Sequence, residues 1–336
     1  MHLLEVERLT VSFASPDGDV NAVRGLSFNV DEGEALGIVG ESGAGKSVAM
    51  QAVTGLVSRA RVTGTARFRG EDLLTLASSA RRRLLGNEIS FVFQDPSSSL
   101  HPLYSVGWQI VEVLRAHSPI SRSAARRRAV ELLGLVGIPS PERRVHDYPH
   151  QFSGGMRQRA MIAMAIALNP ALLIADEPTT ALDVTVQAQI LDLLKNLQDE
   201  LQMALIIITH DLGVIAEVAD RVLVMYAGRQ VERADVRTLY YSAHHPYTQG
   251  LLESLPSHDP GTRLRAIPGQ PPSLLSLPRG CPFQPRCRYA FEKCSLSEPD
   301  LLPVDGGVDH FSACWLPSNE VGLGAHDLGR DETIAP

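Results

Sequence analysis

The chain has 336 residues, more than one typical domain needs, so a main folded unit with additions is expected. Hydrophobic residues make up 44% and charged residues 21%, an ordinary globular balance, and the formal net charge of −7 argues against a chain that coats nucleic acid. No apolar run reaches the ~18 residues that cross a bilayer, and the first ten residues alternate charge with apolar side chains, so the expectation is a cytosolic protein that meets a membrane only through a partner.

In chain order, residues 3–13 and 22–30 read as strands joined by a turn at Pro16, Asp17 and Gly18. Residues 34–39 form a short apolar strand that feeds into Gly40, Glu41, Ser42, Gly43, Ala44, Gly45, Lys46 and Ser47, and residues 47–56 continue as a helix that begins with Ser47 and Val48. This run fits G-x-x-x-x-G-K-[ST] between a strand and a helix, the context that a phosphate-binding loop requires. Its glycines let backbone N–H groups turn inward, Lys46 reaches the β- and γ-phosphates, Ser47 ligates Mg²⁺, and the helix N-terminus adds its positive end.

Residues 90–93 form a further strand. Helical periodicity runs over 106–136, broken at His117, Ser118 and Pro119, and residues 139–149 read as a loop. Ser153 is the N-cap of a helix reaching residue 168. Strands at 171–175, 204–209 and 222–226 then alternate with helices at 186–201 and 212–219, which implies a parallel sheet covered by helices. Beyond Ser242 prolines and glycines become dense and periodicity fades. The arginine runs at 81–83 and 126–128 read as solvated helix faces.

A phosphate loop alone leaves many families open. Phe152, Ser153, Gly154, Gly155 and Met156, followed by Arg157-Gln158-Arg159, resemble the signature of the ATP-binding-cassette (ABC) family, usually written LSGGQ. The apolar run ending in Asp176 and Glu177 resembles its Walker B strand. Ala181-Leu182-Asp183 resembles its D-loop, His210 its switch histidine, and Gln94 its Q-loop glutamine, all in the family's order. The departures from LSGGQ are similar to those of oligopeptide and dipeptide importer ATPases.

This resemblance implies an α/β, RecA-like ABC nucleotide-binding domain over residues 1–240. It would comprise a β-rich ATP-binding subdomain and a helical signature subdomain at about 95–165, followed by an extension at 241–320 and a disordered tail at 321–336. It further implies an ATPase powering peptide import, placed peripherally on the cytoplasmic face of the membrane. Its partners would be a second ABC ATPase chain, two permease subunits and a substrate-binding protein, with no nucleic acid. Asp176 and Gln94 would join Ser47 at Mg²⁺, Glu177 would activate water, and His210 would bond the γ-phosphate. Ser153, Gly154, Gly155 and Met156 would face the ATP of the opposite subunit, with Asp183 at the dimer contact. Phe13 either stacks on adenine, as an aromatic does in relatives, or packs in the core. The alternatives are the ATPase of a nickel or other small-solute importer and, in another class, a soluble ABC ATPase of DNA repair or translation.

Cys281, Cys287, Cys294 and Cys314 are the only cysteines and cluster as C-x5-C-x6-C-x19-C, a pattern unlike a disulfide framework spread through a secreted domain. Four thiolates suit a [4Fe–4S] cluster or tetrahedral Zn²⁺. The wide spacing, with resemblance to cluster-carrying peptide-importer ATPases, points to [4Fe–4S]; structural zinc and free thiols stay open.

Overall fold

The computed structural model describes residues 2–255, 266–304 and 309–317. Strands β1 (Leu4–Ser15) and β2 (Gly18–Val30) pair antiparallel through a tight turn in which Ser15 faces Gly18, close to the expected hairpin. Leu4, Val6, Leu9 and Val11 of β1 all turn inward and are buried. After the short parallel strand β3 (Ala35–Val39) and helix α1 (Lys46–Val53), β4 (Ala60–Phe68) returns to the other edge of β1 and β5 (Glu71–Asp72) pairs with β4. Sequence reading did not predict β4, whose arginines, threonines and central Gly64 hide the alternation that buries Ala66 and Phe68.

Helix α2 (Ser78–Leu84) leads to β6 (Ile89–Val92) and to α3 (Pro96–Ser99), α4 (Val106–His117), α5 (Arg122–Leu135), α6 (Pro141–Arg144) and α7 (Gly154–Ala165). Ser105, Ser121 and Ser153 each cap the helix that follows by accepting a bond from an N–H in its first turn. The expected break between α4 and α5 falls at His117, whereas the loop expected at 139–149 contains α6. Val106, Ile110 and Leu114 of α4 pack with Ala129, Leu132 and Leu133 of α5 in one apolar cluster.

Strands β7 (Leu172–Asp176), β8 (Ala204–Thr209) and β9 (Arg221–Tyr226) then alternate with helices α8 (Val184–Leu201) and α9 (Leu212–Val218). The main sheet runs β6-β7-β8-β3-β9 with these neighbours parallel, as the alternation predicted, and continues antiparallel beyond β9. Every residue of β3, β7 and β8 is buried, because both faces of the sheet are covered. In β8 Leu205 and Ile207 enter one core while Ala204, Ile206 and Ile208 enter the other. One sheet thus separates a core shared with the β1–β5 layer from a core shared with the helices.

The chain continues through β10 (Arg229–Asp235), α10 (Val236–Ser242) and α11 (Pro246–Glu253), none of them anticipated. The later segment forms α12 (Glu292–Leu296), β11 (Leu302–Pro303) and β12 (Phe311–Ser312). β12 pairs antiparallel with β10, and β11 with β12, so the cysteine-bearing segment extends the edge of the main sheet. At this joint the fully buried carboxylate of Glu232 accepts the N–H groups of His244 and His245 at 2.6 and 3.1 Å and lies 2.8 Å from His310 Nε2. Burial pushes the His245 imidazole down to about 4, so this ring is neutral. The tail expected at 321–336 lies outside the described residues. Among the described residues no helix is long and apolar enough to cross a membrane.

Candidate active site

The residues singled out by motif arise from the carboxyl ends of four parallel strands, where ligands of open α/β sheets bind. β3 ends at Val39 and runs into the glycine loop; β7 ends at Asp176, one residue before Glu177; β8 ends at Thr209, before His210; and β6 is followed by Gln94. The loop bends where only glycine fits: Gly45 has φ +95°, and a Cβ there would lie 2.2 Å from the Ala22 carbonyl oxygen. The Ala44 carbonyl accepts the Gly228 N–H at 3.1 Å, which ties the loop to the β9–β10 turn.

Lys46, the first residue of α1, is buried and donates from Nζ to the Gly40 carbonyl at 2.5 Å and the Glu41 carbonyl at 3.1 Å. Burial lowers its pKa, and the carboxylates of Glu177, Asp176 and Glu41 oppose that shift. Next to it, Ser47 Oγ donates to Asp176 Oδ1 at 2.7 Å. Asp176 is 3% exposed, and burial raises its pKa against the pull of the Ser47 bond. Glu177 Oε2 accepts bonds from Gln94 Nε2 and Thr180 Oγ1, both at 2.8 Å, while Oε1 lies 3.5 Å from His210 Nδ1. A hydroxyl, an ammonium and two carboxylates therefore meet at one edge, a set able to hold a divalent cation beside a polyphosphate. Ser42 and Gly43 are exposed at the loop tip, and Val48 turns toward the core behind it.

Not every predicted residue joins this group. Phe13, on β1 opposite Val20 and Ala60, is half-buried and packs against the core of the β1–β5 layer. Ser153 is exposed at the tip of α7, where its Oγ accepts the Met156 N–H at 3.3 Å. Behind it a Cβ on Gly155 would come within 2.7 Å of Val186 Cγ1, so only glycine allows this approach of α7 to α8. Asp183 is the exposed N-cap of α8, accepting the Val186 N–H at 3.0 Å.

Three residues were missed. Thr180 lies three positions after Glu177, a spacing that a turn reading could have used. Tyr247 and Arg286 reach the glycine loop from more than two hundred residues away, and nothing local announces them.

The four cysteines are free thiols that line one pocket, together with His245, Phe283 and Trp315. Burial, and then the neighbouring sulfurs, push Cys281 up to about 11 and Cys314 up to about 12; Cys287 is raised for the same reasons. Among the described residues no group of three or more His, Cys, Asp or Glu side chains is arranged to hold a metal ion. The donor set fits a soft metal, but its arrangement in this structure does not form one.

With this geometry in place, comparison with known proteins is decisive. Residues 23–180 match the model of the ABC transporter family, and residues 231–294 match that of the oligopeptide/dipeptide transporter C-terminal region. An oligopeptide transport ATP-binding protein of Bacillus subtilis is 52% identical over 94% of this chain and 88% of its own length. The chain belongs to the oligopeptide/dipeptide ABC family. A similarly named protein of Mycobacterium bovis is 54% identical over 99% of this chain but only 55% of its own length, so the ABC chain described here spans about half of that relative. Among solved structures, an ATP-binding cassette dimer in a post-hydrolysis state bound to ADP and phosphate matches with a TM-score of 0.64 at 28% identity, covering 70% of this ABC chain and 99% of its own.

Proposed function

We propose that the chain is the ATP-hydrolysing subunit that powers import of di- and oligopeptides through a membrane permease complex. The observation that carries this reading is the convergence of Lys46, Ser47, Asp176, Glu177, Gln94 and His210 at the carboxyl ends of β3, β6, β7 and β8, in a chain of the peptide-transporter ABC family.

In this reading Lys46 leaves the loop carbonyls to bind the β- and γ-phosphates, and Ser47, Asp176 and Gln94 hold Mg²⁺. The bound metal supplies neutralisation of the triphosphate charge. Glu177, fixed on one oxygen by Gln94 and Thr180, turns the other toward the attacking water and takes its proton as the bond to the γ-phosphorus forms. The bond between that phosphorus and the β–γ bridging oxygen breaks, which leaves ADP, while His210 bonds the departing γ-phosphoryl group. Phe13 is the aromatic side chain placed to lie against the adenine, with core packing alone as the alternative. The α7 tip, with exposed Ser153 and half-buried Gly154, Gly155 and Met156, reads the ATP held by a second ABC ATPase chain, a helix N-terminus being suited to an anion, and Asp183 meets that chain at the dimer contact.

The same reading places the protein peripherally on the cytoplasmic face of the membrane, with two permeases and a substrate-binding protein. It takes residues 1–240 as the motor and 241–320 as an extension whose four thiols draw together around a [4Fe–4S] cluster, or structural zinc as the alternative. The soft donors gathered at one pocket support that assignment. Reconstituted in vesicles with its permeases, the chain should hydrolyse ATP several-fold faster when peptide-loaded binding protein is added. Stimulation by a nickel-loaded binding protein and not by peptide would assign the other cargo.

A further inference from the structure

Glu41 is the one acidic residue within the glycine loop, and a carboxylate there is poorly placed for a loop that must receive a triphosphate. Its backbone carbonyl lies 3.1 Å from the Lys46 ammonium, so an unbalanced charge on its side chain would compete for that ammonium and repel the incoming phosphates. The structure disposes of the charge. Arg286 grips both carboxylate oxygens, with Nη1 2.6 Å from Oε2 and Nη2 2.8 Å from Oε1, the bidentate geometry that favours arginine over lysine.

The arginine is itself held. Its side chain is 4% exposed, Nε donates to the Pro268 carbonyl at 2.8 Å, and Nη1 also reaches the Tyr226 hydroxyl at 3.2 Å. The Tyr247 hydroxyl meanwhile accepts the Glu41 N–H at 2.7 Å. Tyr226, Tyr247 and Phe283 pack ring against ring beneath these bonds. Arg286 sits just before Cys287, so the loop that supplies two of the pocket thiols also supplies this clamp.

We propose that Arg286 is a positioning residue for nucleotide binding: from the C-terminal segment it neutralises and anchors Glu41, and so keeps the glycine loop and Lys46 available to the triphosphate. This rests on the reading of the loop as an ATP site. It makes the cysteine-bearing segment a structural part of the nucleotide site and not only an appendage to it.

The test is the Kd of a fluorescent ATP analogue with Mg²⁺, measured on the full chain whose fold is checked by circular dichroism. Arg286→Gln should weaken binding about tenfold, the effect of one uncompensated charge at this range. Adding Glu41→Gln to the same chain should restore most of the loss, because the charge that needed cancelling is gone. Unchanged binding in Arg286→Gln overturns the proposal, and so does a double variant as weak as the single one, since a purely structural role would not be rescued. If Arg286→Gln does not fold, Arg286→Lys takes its place: weaker binding that Glu41→Gln restores supports the proposal, and unchanged binding or an unrestored loss overturns it. A wild-type chain that does not bind the analogue would instead sink the nucleotide-site reading.

Discussion

At Glu177 the backbone enters the left-handed region, with φ 46°, where side chains other than Gly, Asn and Asp are uncommon. Its N–H is anchored to the Ile208 carbonyl at 2.8 Å, and the turn aims the carboxylate at Gln94, Thr180 and His210. Its neighbour Asp176 carries a different cost. Burial raises its pKa, so the folded chain holds that proton more tightly than the unfolded chain, and ionisation as pH rises above the ordinary carboxylate range costs stability. Asp176→Asn should therefore raise the thermal midpoint of the nucleotide-free chain by a few degrees at neutral pH, and by less in acid, while MgATP hydrolysis is lost. Thermal melts at the two pH values check this, and an unchanged or lowered midpoint at neutral pH contradicts it. The site was legible in sequence wherever one turn fixes the chemistry, as at Lys46 with Ser47 or Asp176 with Glu177. Arg286 was not legible, because its meaning arises only when Glu41 is folded beside it.

At the scale of elements, β3, β7 and β8 were readable because a strand buried on both faces must be apolar throughout. The serine caps of α4, α5 and α7 fix helix starts by chemistry visible in one residue. β10 escaped because Glu232 and Arg233 interrupt its apolar residues, and the N–H groups of His244 and His245 with His310 of the later segment let a carboxylate lie there. That segment, with few regular elements between residues 266 and 317, is of the kind that a metal staples. Chain purified without oxygen should be brown and contain iron with acid-labile sulfide. Colourless protein with stoichiometric zinc would give the alternative, and neither metal would leave the thiols free.

Across the whole molecule, the parallel sheet divides two cores and brings Lys46, Ser47, Gln94, Asp176, Glu177 and His210 to the carboxyl ends of its strands, while Ser153 at the α7 tip and the α8 cap Asp183 are exposed. The proposed motor would use this division: binding groups on the loop, a proton acceptor after the neighbouring strand, and an exposed helix tip for a second chain. Binding and turnover should then be separable by one atom exchange at Glu177. In Glu177→Gln the MgATP affinity should stay at the wild-type value while steady-state hydrolysis falls by roughly 100-fold or more, the share a positioned base contributes. Hydrolysis at the wild-type rate in that variant would contradict the account.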